Sequence, residues 1–233
     1  MIPIRDTVRA RDFSLVNTLL ILANLVVFLV ESALPQPQLE RLFYTFGLVP
    51  AEVWGGQGAD AWWPLLTSMF LHGGWAHLFS NMLALYIFGD NVEDRLGHLR
   101  YLFFYLLGGI LAGLAHLLAY PTSAVPTIGA SGAIAAVLGG YMVLFPTARV
   151  ITILPLPFLF PVVEVYAIVY LGIWFLSQLL NGLFTLGAPS FQGGGVAWWA
   201  HVGGFAAGLI LVRIFAPRRP RGRRTYRDEY YPW

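Results

Sequence analysis

Six apolar segments are the feature that most constrains this chain, because most of them are close to the length of a helix that crosses a lipid bilayer. A crossing needs about 20 predominantly apolar residues. Only 11% of the residues are charged, whereas a soluble domain carries about a quarter. The sequence therefore predicts an all-α membrane protein with six transmembrane helices. The segments are Ser14–Val30, Leu65–Phe88, Leu99–Tyr120, Ser131–Phe145, Pro161–Leu180 and Val196–Phe215.

Arginine placement predicts the orientation of these segments, since loops with an excess of basic side chains stay in the cytoplasm. Arginines precede the first segment, lie between the second and third, and follow the fourth and the sixth. The alternate loops contain only Arg41. Both termini are therefore expected in the cytoplasm. The first segment is interpreted as a transmembrane anchor and not as a signal peptide, because it is long and no clear small-x-small cleavage site follows it.

The domain organisation is predicted to be simple. Residues 1–217 form one transmembrane domain, and residues 218–233 form an arginine-rich cytoplasmic tail. The first external connection, about Ser32 to Pro64, is long and rich in aromatic residues, which favour the headgroup level. This loop is therefore expected to be partly embedded in the membrane. No basic face with interleaved aromatics is evident, so a nucleic-acid partner is not expected.

One serine and two histidines on separate segments are predicted to lie at a common depth. Prolines before and after the fourth segment leave it only about 15 residues, fewer than a crossing requires. At 1.5 Å per residue, Ser131 lies roughly 22 Å above the cytoplasmic end. The same estimate gives roughly 21 Å for His201 and roughly 18–24 Å for His77. Polar groups at such depth face the bundle interior and usually mark function.

Two stripes of small residues indicate how the fourth and sixth segments could meet. Small residues spaced four apart allow two helix backbones to approach closely. If the stripes face each other, Ser131 and His201 become neighbours. The stripes alone favour a packing role, so a functional interpretation depends on the polar residues beside them. The two stripes are Ser131, Ala135, Gly139 and Ala200, Gly204, Gly208.

Ser131 and His201 together have the chemistry of a serine hydrolase. A serine hydroxyl needs a base to take its proton, and a neutral imidazole does so near neutral pH. No Asp or Glu lies near this depth on the sixth segment, so a Ser-His dyad is favoured over a triad. The backbone N–H of Ser131, near a helix start, can stabilise an oxyanion. His77 and Asn81 are four residues apart on one helix face and can supply further donors.

Other hydrolytic mechanisms fit the sequence less well. The chain has no cysteine, which excludes thiolate nucleophiles and thiolate metal sites. The HExxH motif is absent, and His72 and His77 are five residues apart, a poor spacing for zinc on one helix face. Asp90 has no evident carboxylate partner for an aspartyl mechanism. No metal and no cofactor are therefore expected.

Four motifs follow one another between about Trp62 and Gly208. They are His72-Gly-Gly-Trp-Ala-His77-Leu-Phe-Ser-Asn81, Gly89-Asp-Asn-Val-Glu-Asp-Arg-Leu-Gly97, Gly129-Ala-Ser131-Gly132 and Ala200-His201-Val-Gly-Gly204. Each motif is weak alone, and the combination is specific. Taken in their order and spacing, the four motifs resemble the rhomboid family of intramembrane serine proteases.

The resemblance implies a six-helix core around a water-filled cavity that opens to the extracytoplasmic side. Ser131 matches the family's nucleophile and His201 its base. His77 and Asn81 match the oxyanion-stabilising pair. The positions expected to support the site are His72, Gly129 and Gly132.

The resemblance also implies the substrates and the location. Substrates are transmembrane proteins that are cleaved within or beside their membrane span, without metal or cofactor. The protein is expected in the inner membrane of a prokaryote, in contact with the lipid bilayer.

Two positions depart from the family pattern, and two other functions stay open. Many members have Trp-Arg in the first external loop, where this chain has Trp63-Pro64. Some members stack an aromatic ring on the catalytic histidine, where this chain has Ala135, so the imidazole must be held otherwise. The alternatives are a non-catalytic member that binds transmembrane clients and a small transporter, since broken helices also build transport sites.

Overall fold

The computed structural model describes residues 1–56, 62–186 and 195–217, and most of these residues are helical. A 3₁₀ turn, Ser68–Phe70, follows the helix Pro64–Thr67, and a π-helical turn, Leu85–Gly89, joins the helices Trp75–Ala84 and Asp90–Leu96 without a break. The strands are β1 Ile2–Asp6, β2 Arg149–Ile153 and β3 Val162–Tyr166. The helices are α1 Leu15–Ala33, α2 Gln36–Phe46, α3 Pro50–Trp54, α4 Pro64–Thr67, α5 Trp75–Ala84, α6 Asp90–Leu96, α7 His98–Ala119, α8 Ser131–Leu144, α9 Ala167–Thr185 and α10 Trp198–Phe215.

The helices have the length and composition of a membrane bundle. Within the described residues, four helices are long and apolar enough to cross a bilayer, namely α1, α7, α9 and α10. Helix α8 is apolar too, but it has only 14 residues. The mostly helical membrane bundle is thus confirmed, whereas six crossings stay a prediction.

The prediction of an all-α fold is wrong at one end of the bundle, where β1, β2 and β3 form an antiparallel sheet in that order. Strand β3 lies within the predicted fifth apolar segment, Pro161–Leu180. Its residues alternate between exposed Val162, Glu164 and Tyr166 and partly buried Val163 and Val165. This period of two, in a run rich in β-branched residues, is typical of a strand. The fifth membrane helix therefore begins only at α9.

The second predicted segment is displaced along the chain. Its expected bounds were Leu65–Phe88, but the continuous helix runs from the start of α5 to the end of α6. The polar end of this helix is tolerated because it stabilises the start of α1. Glu93 accepts backbone hydrogen bonds from Val16 at 2.9 Å and Asn17 at 2.7 Å. A carboxylate at a helix N-terminus satisfies N–H groups that have no partner within the helix.

Helices α8 and α10 approach each other at backbone distance. A Cβ atom added to Gly208 would lie 2.0 Å from the carbonyl oxygen of Ala136, and one added to Gly204 would lie 2.1 Å from that of Gly132. The predicted stripe on α10 therefore does face α8. On α8, Gly139 of the predicted stripe faces α10, because a Cβ atom added to it would lie 2.3 Å from the Phe205 carbonyl oxygen, and Gly132 and Ala136 face α10 beside it.

The long connection after α1, which the sequence predicts to be external, contains α2 and α3 and leads into α4. Leu48 in this connection pairs with Thr127 in an isolated β-bridge, and the indole nitrogen of Trp54 donates to the Leu117 carbonyl at 3.1 Å. These contacts fasten the loop to the bundle. Its partial embedding in the membrane stays a prediction, and the tail over residues 218–233 lies outside the described residues.

We expect Gly208→Ala to destabilise the protein by about 1–3 kcal/mol, the usual range for overpacking a tight interface. The added methyl group would meet backbone, which cannot move without separating α8 from α10. Thermal unfolding in detergent measures the effect. Gly172→Ala in α9 is the matched control, because its Cβ has no heavy atom within 4 Å. Equal losses in both variants would contradict the close-contact explanation.

Candidate active site

Ser131 and His201 are in hydrogen-bonding contact. Ser131 is the first residue of α8 and His201 lies in the first turn of α10. The distance from Ser131 Oγ to His201 Nε2 is 2.8 Å. His201 is buried and Ser131 is only partly buried. The structure thus brings together a hydroxyl and an imidazole that are 70 residues apart in the chain.

Gln178 on α9 holds the other nitrogen of the imidazole. The distance from His201 Nδ1 to Gln178 Oε1 is 2.7 Å. The amide orientation is fixed because Gln178 Nε2 donates to Ser177 Oγ at 2.9 Å and to the Trp174 carbonyl at 3.3 Å. Since Oε1 can only accept, Nδ1 must carry the proton, which leaves Nε2 free to accept from Ser131. Gln178 therefore selects the tautomer that can act as a base.

Aromatic rings complete the support of the imidazole. The ring of Trp174 lies 5.8 Å from that of His201, and the ring of Trp198 lies 6.3 Å away on another side. The position four residues after Ser131 is Ala135, so no ring stacks from there. The sequence predicted that the histidine would be held otherwise, but it gave no sign of which residues do so.

Gly129 lets the histidine of α5 approach the serine. A Cβ atom at Gly129 would lie 2.7 Å from His77 Nε2 and 3.7 Å from Ser131 Oγ. Gly129 also has a φ of +126°, a conformation that L side chains rarely adopt. The backbone N–H of Gly73 donates to His77 Nδ1 at 3.4 Å. In the neutral ring Nε2 then carries the proton and is a donor beside Ser131.

Asn81 lies one turn after His77 on the same helix, and it is buried. Its side-chain nitrogen has no hydrogen-bond partner among the described residues. A buried amide donor without an acceptor costs free energy, so such a group commonly serves a ligand, a water or a transition state. Asn81 therefore has a donor available to an incoming group.

His72 is buried behind His77, with their rings 5.0 Å apart in an edge-to-face arrangement. The backbone N–H of His72 donates to both carboxylate oxygens of Glu31, at 3.2 Å each. Glu31 belongs to the last turns of α1 and is 2% exposed. The sequence placed Glu31 in the external loop, whereas the structure uses it to hold the backbone of the His72-Gly-Gly turn.

The irregular segment before α8 is held by hydrogen bonds to the rest of the protein. Its Gly129 N–H donates to the Ser68 carbonyl at 2.9 Å, and Thr127 exchanges backbone hydrogen bonds with Leu48. The hydroxyl of Thr127 contacts His116 Nε2 at 2.8 Å. His116 is thus a hydrogen-bonding residue outside the site. In the described part of the chain, no three His, Asp or Glu side chains lie close enough to hold a metal ion.

Comparison with known proteins gives a family match. Residues 59–218 match the family model described as the Rhomboid domain. Similar proteins include Rhomboid-like protein 11, chloroplastic, of Arabidopsis thaliana, which is 43% identical over 74 residues, or 32% of this chain and 26% of the relative. Rhomboid protease GluP of Bacillus subtilis is 44% identical over 81 residues, or 35% of this chain and 15% of the relative.

A longer alignment joins the chain to Rhomboid protein 1, mitochondrial, of Saccharomyces cerevisiae. The two are 32% identical over 151 residues, which are 63% of this chain and 40% of the relative. The chain thus spans less than half the length of each of these relatives.

Proposed function

Because the chain belongs to the rhomboid family, we propose that it is an intramembrane serine endopeptidase. Its substrates would be membrane proteins cleaved within or next to a transmembrane segment. One observation carries the proposal: Ser131 Oγ lies 2.8 Å from His201 Nε2, at the N-terminus of an apolar helix. Rhomboid proteins are generally proteases of this kind, and several of the similar proteins carry the name rhomboid protease or rhomboid protein.

The proposed reaction begins with attack by Ser131 Oγ on the carbonyl carbon of the scissile peptide bond. His201 Nε2 takes the hydroxyl proton as the new C–O bond forms. When the tetrahedral intermediate collapses, the C–N bond breaks and the imidazolium gives its proton to the leaving amine. Water, deprotonated by the same imidazole, then attacks the ester and releases Ser131.

The proposed oxyanion hole has three donors from two helices. The backbone N–H of Ser131 has no acceptor within α8 because it is at the helix start, where the helix dipole is positive. Asn81 supplies a side-chain amide, and His77 supplies its Nε2–H. Such preorganised donors stabilise charge most where water is scarce.

We further propose the orientation that the arginines predict. Both termini would face the cytoplasm, and residues 1–217 would cross the inner membrane six times. The second crossing would then be the continuous helix of α5 and α6, and the fourth would be α8. This arrangement opens the site toward the extracytoplasmic side.

We expect Ser131→Ala and His201→Ala each to abolish cleavage of a model transmembrane substrate in proteoliposomes. Both variants should retain the thermal unfolding temperature of the wild type, because neither side chain carries the bundle. A fluorophosphonate probe should label the wild type at Ser131 and leave Ser131→Ala unlabelled.

Retained cleavage by Ser131→Ala would contradict this mechanism. A wild type that binds transmembrane proteins without reacting with the probe would instead be a non-catalytic client-binder. Solute flux in the same liposomes would indicate a transporter.

Removing the amide of Asn81 should slow the reaction without weakening substrate binding. We expect Asn81→Ala to lower kcat by about 10- to 1000-fold, the scale of one lost oxyanion donor, with KM nearly unchanged. Steady-state cleavage in detergent measures both constants. An unchanged kcat would remove Asn81 from the oxyanion hole.

Gln178 should act as a positioning residue for His201. We expect Gln178→Leu to lower kcat by about 10- to 100-fold, because the imidazole loses the acceptor that fixes its tautomer. Gln178→Glu retains an acceptor and should recover much of the rate, which a merely structural role would not predict.

The control for this position is Asn181→Leu on the same helix, where the asparagine is exposed and its side chain donates to the Ser177 carbonyl, outside the site. Its kcat should stay within about twofold of the wild type. Labelling of Ser131 by the fluorophosphonate probe as fast in Gln178→Leu as in the wild type would show that Ser131 is reactive without Gln178. Gln178 would then have no positioning role.

A further inference from the structure

The connection between α8 and α9 contains β2, β3 and an apolar hairpin turn between them. The rest of the described chain does not cover this turn. We call residues 154–161 the hairpin tip, and its sequence is Leu-Pro-Leu-Pro-Phe-Leu-Phe-Pro. Phe158 is fully exposed, at 102% of its reference area, and Leu156, Leu159 and Phe160 are exposed as well. Isolated apolar residues on a surface are ordinary, but a contiguous group of this kind marks an interaction site.

The tip has a defined backbone that presents the Phe158 ring outward. Leu154 N–H donates to the Pro161 carbonyl at 3.0 Å, and Leu156 and Leu159 exchange backbone hydrogen bonds of 3.0 and 3.1 Å. Phe158 has a φ of +64°, in the left-handed region that glycine or asparagine usually occupies in such a turn. A bulky aromatic side chain therefore stands at a position where a smaller residue would fold more easily.

The base of the hairpin is fixed to the bundle. Val150 and Thr152 of β2 are fully buried, and the Thr152 hydroxyl donates to the Ile2 carbonyl at 2.9 Å. The hydroxyl of Tyr141 on α8 donates to the carboxylate of Asp6. Burial raises the pKa of Asp6 to about 7. The tip therefore extends from an anchored sheet.

The backbone of the tip is suited to an environment without water. Three of its eight residues are prolines, which have no N–H, and three others, Leu154, Leu156 and Leu159, have their N–H bonded within the hairpin. Only two N–H groups remain for other acceptors. A backbone N–H group without an acceptor is costly in lipid. A loop that contacts lipid must therefore have few such groups, as this tip does. Few donors also leave little for a partner strand to pair with.

Charged and aromatic side chains mark the boundary of the apolar region. No charged residue lies between Arg149 and Glu164, which form an ion pair of 3.0 Å at the base. The guanidinium of Arg149 lies 5.4 Å from the ring centre of Tyr166. Arg and Tyr commonly sit at the headgroup level. Immediately after Tyr166, α9 begins and exposes apolar residues of its own, including Ile173 at 51%.

We propose that the hairpin tip inserts into the lipid leaflet around the N-terminal end of α9, with Phe158 deepest. The partner is the lipid surface, reached through an apolar loop beside a membrane helix and bounded by Arg149 and Tyr166. The tip would act as an interfacial anchor in addition to the transmembrane helices. This inference concerns membrane contact and does not rest on the proposed proteolysis.

The absence of cysteine from the chain allows a direct test. Phe158→Cys creates a single thiol that can carry an NBD fluorophore in the reconstituted full chain. Quenching is measured with lipids that carry a doxyl group near the top of the acyl chain, and separately with aqueous iodide. Ile173→Cys on α9 is the lipid-facing control, and Arg5→Cys on β1 is the exposed control at the anchored sheet. Thermal unfolding checks that all three variants fold.

We expect doxyl lipids to quench NBD at position 158 at least threefold more than at position 5, and iodide to show the reverse order. Quenching at position 158 by iodide, to the same extent as at position 5, would overturn the proposal. Protection from iodide that grows with protein density, without quenching by doxyl lipids, would also overturn it and would indicate contact with a second copy.

Discussion

The backbone contact between α8 and α10 is the constraint on which the candidate site depends. Gly204 and Gly208 bring α10 so close to α8 that an added Cβ would lie within 2.1 Å of a carbonyl oxygen. A larger side chain at either glycine would push the two helices apart and lengthen the contact between Ser131 on α8 and His201 on α10. In lipid, such packing replaces the hydrophobic effect as the force between helices. Stability and the Ser131–His201 distance therefore have the same cause.

A second consequence of the membrane is that buried polar groups must satisfy one another. Gln178, Ser177 and the Trp174 carbonyl form a local chain of hydrogen bonds, which ends at His201. Glu31 is used in the same way at the His72 backbone. Gln178 and Glu31 are thus oriented by hydrogen-bond partners, and an unpaired polar group in this setting is expensive. Asn81 Nδ2 is a buried donor without a hydrogen-bond partner among the described residues, and Asn81 lies one turn from His77. These are the properties expected of a group that serves a reacting substrate.

The sequence predicts the parts of the fold that depend on local pattern, and it misses the parts that depend on distant packing. Helical rise alone predicted that Ser131, His77 and His201 share a depth, and the structure does place them together. Gln178 could not be predicted, because one glutamine in an apolar helix carries no sign of which residue it faces. Strand β3 carries a weaker sequence signal, three β-branched valines in the five residues Val162–Tyr166, but its apolar composition favoured a membrane helix.

The irregular segment before α8 shows how one local break supplies several properties of the site. If α8 continued through residues 121–130, the N–H of Ser131 would bond a carbonyl four residues earlier, and no free donor would remain beside the hydroxyl. A regular helix would also forbid the φ of +126° at Gly129. Because this glycine has no Cβ atom, it leaves space for His77. The break is stable because the Ser68 and Leu48 carbonyls accept its N–H groups. The position at which α8 begins thus determines three properties of the site. These are the depth of Ser131 in the bundle, the availability of its N–H as a donor, and the access of His77.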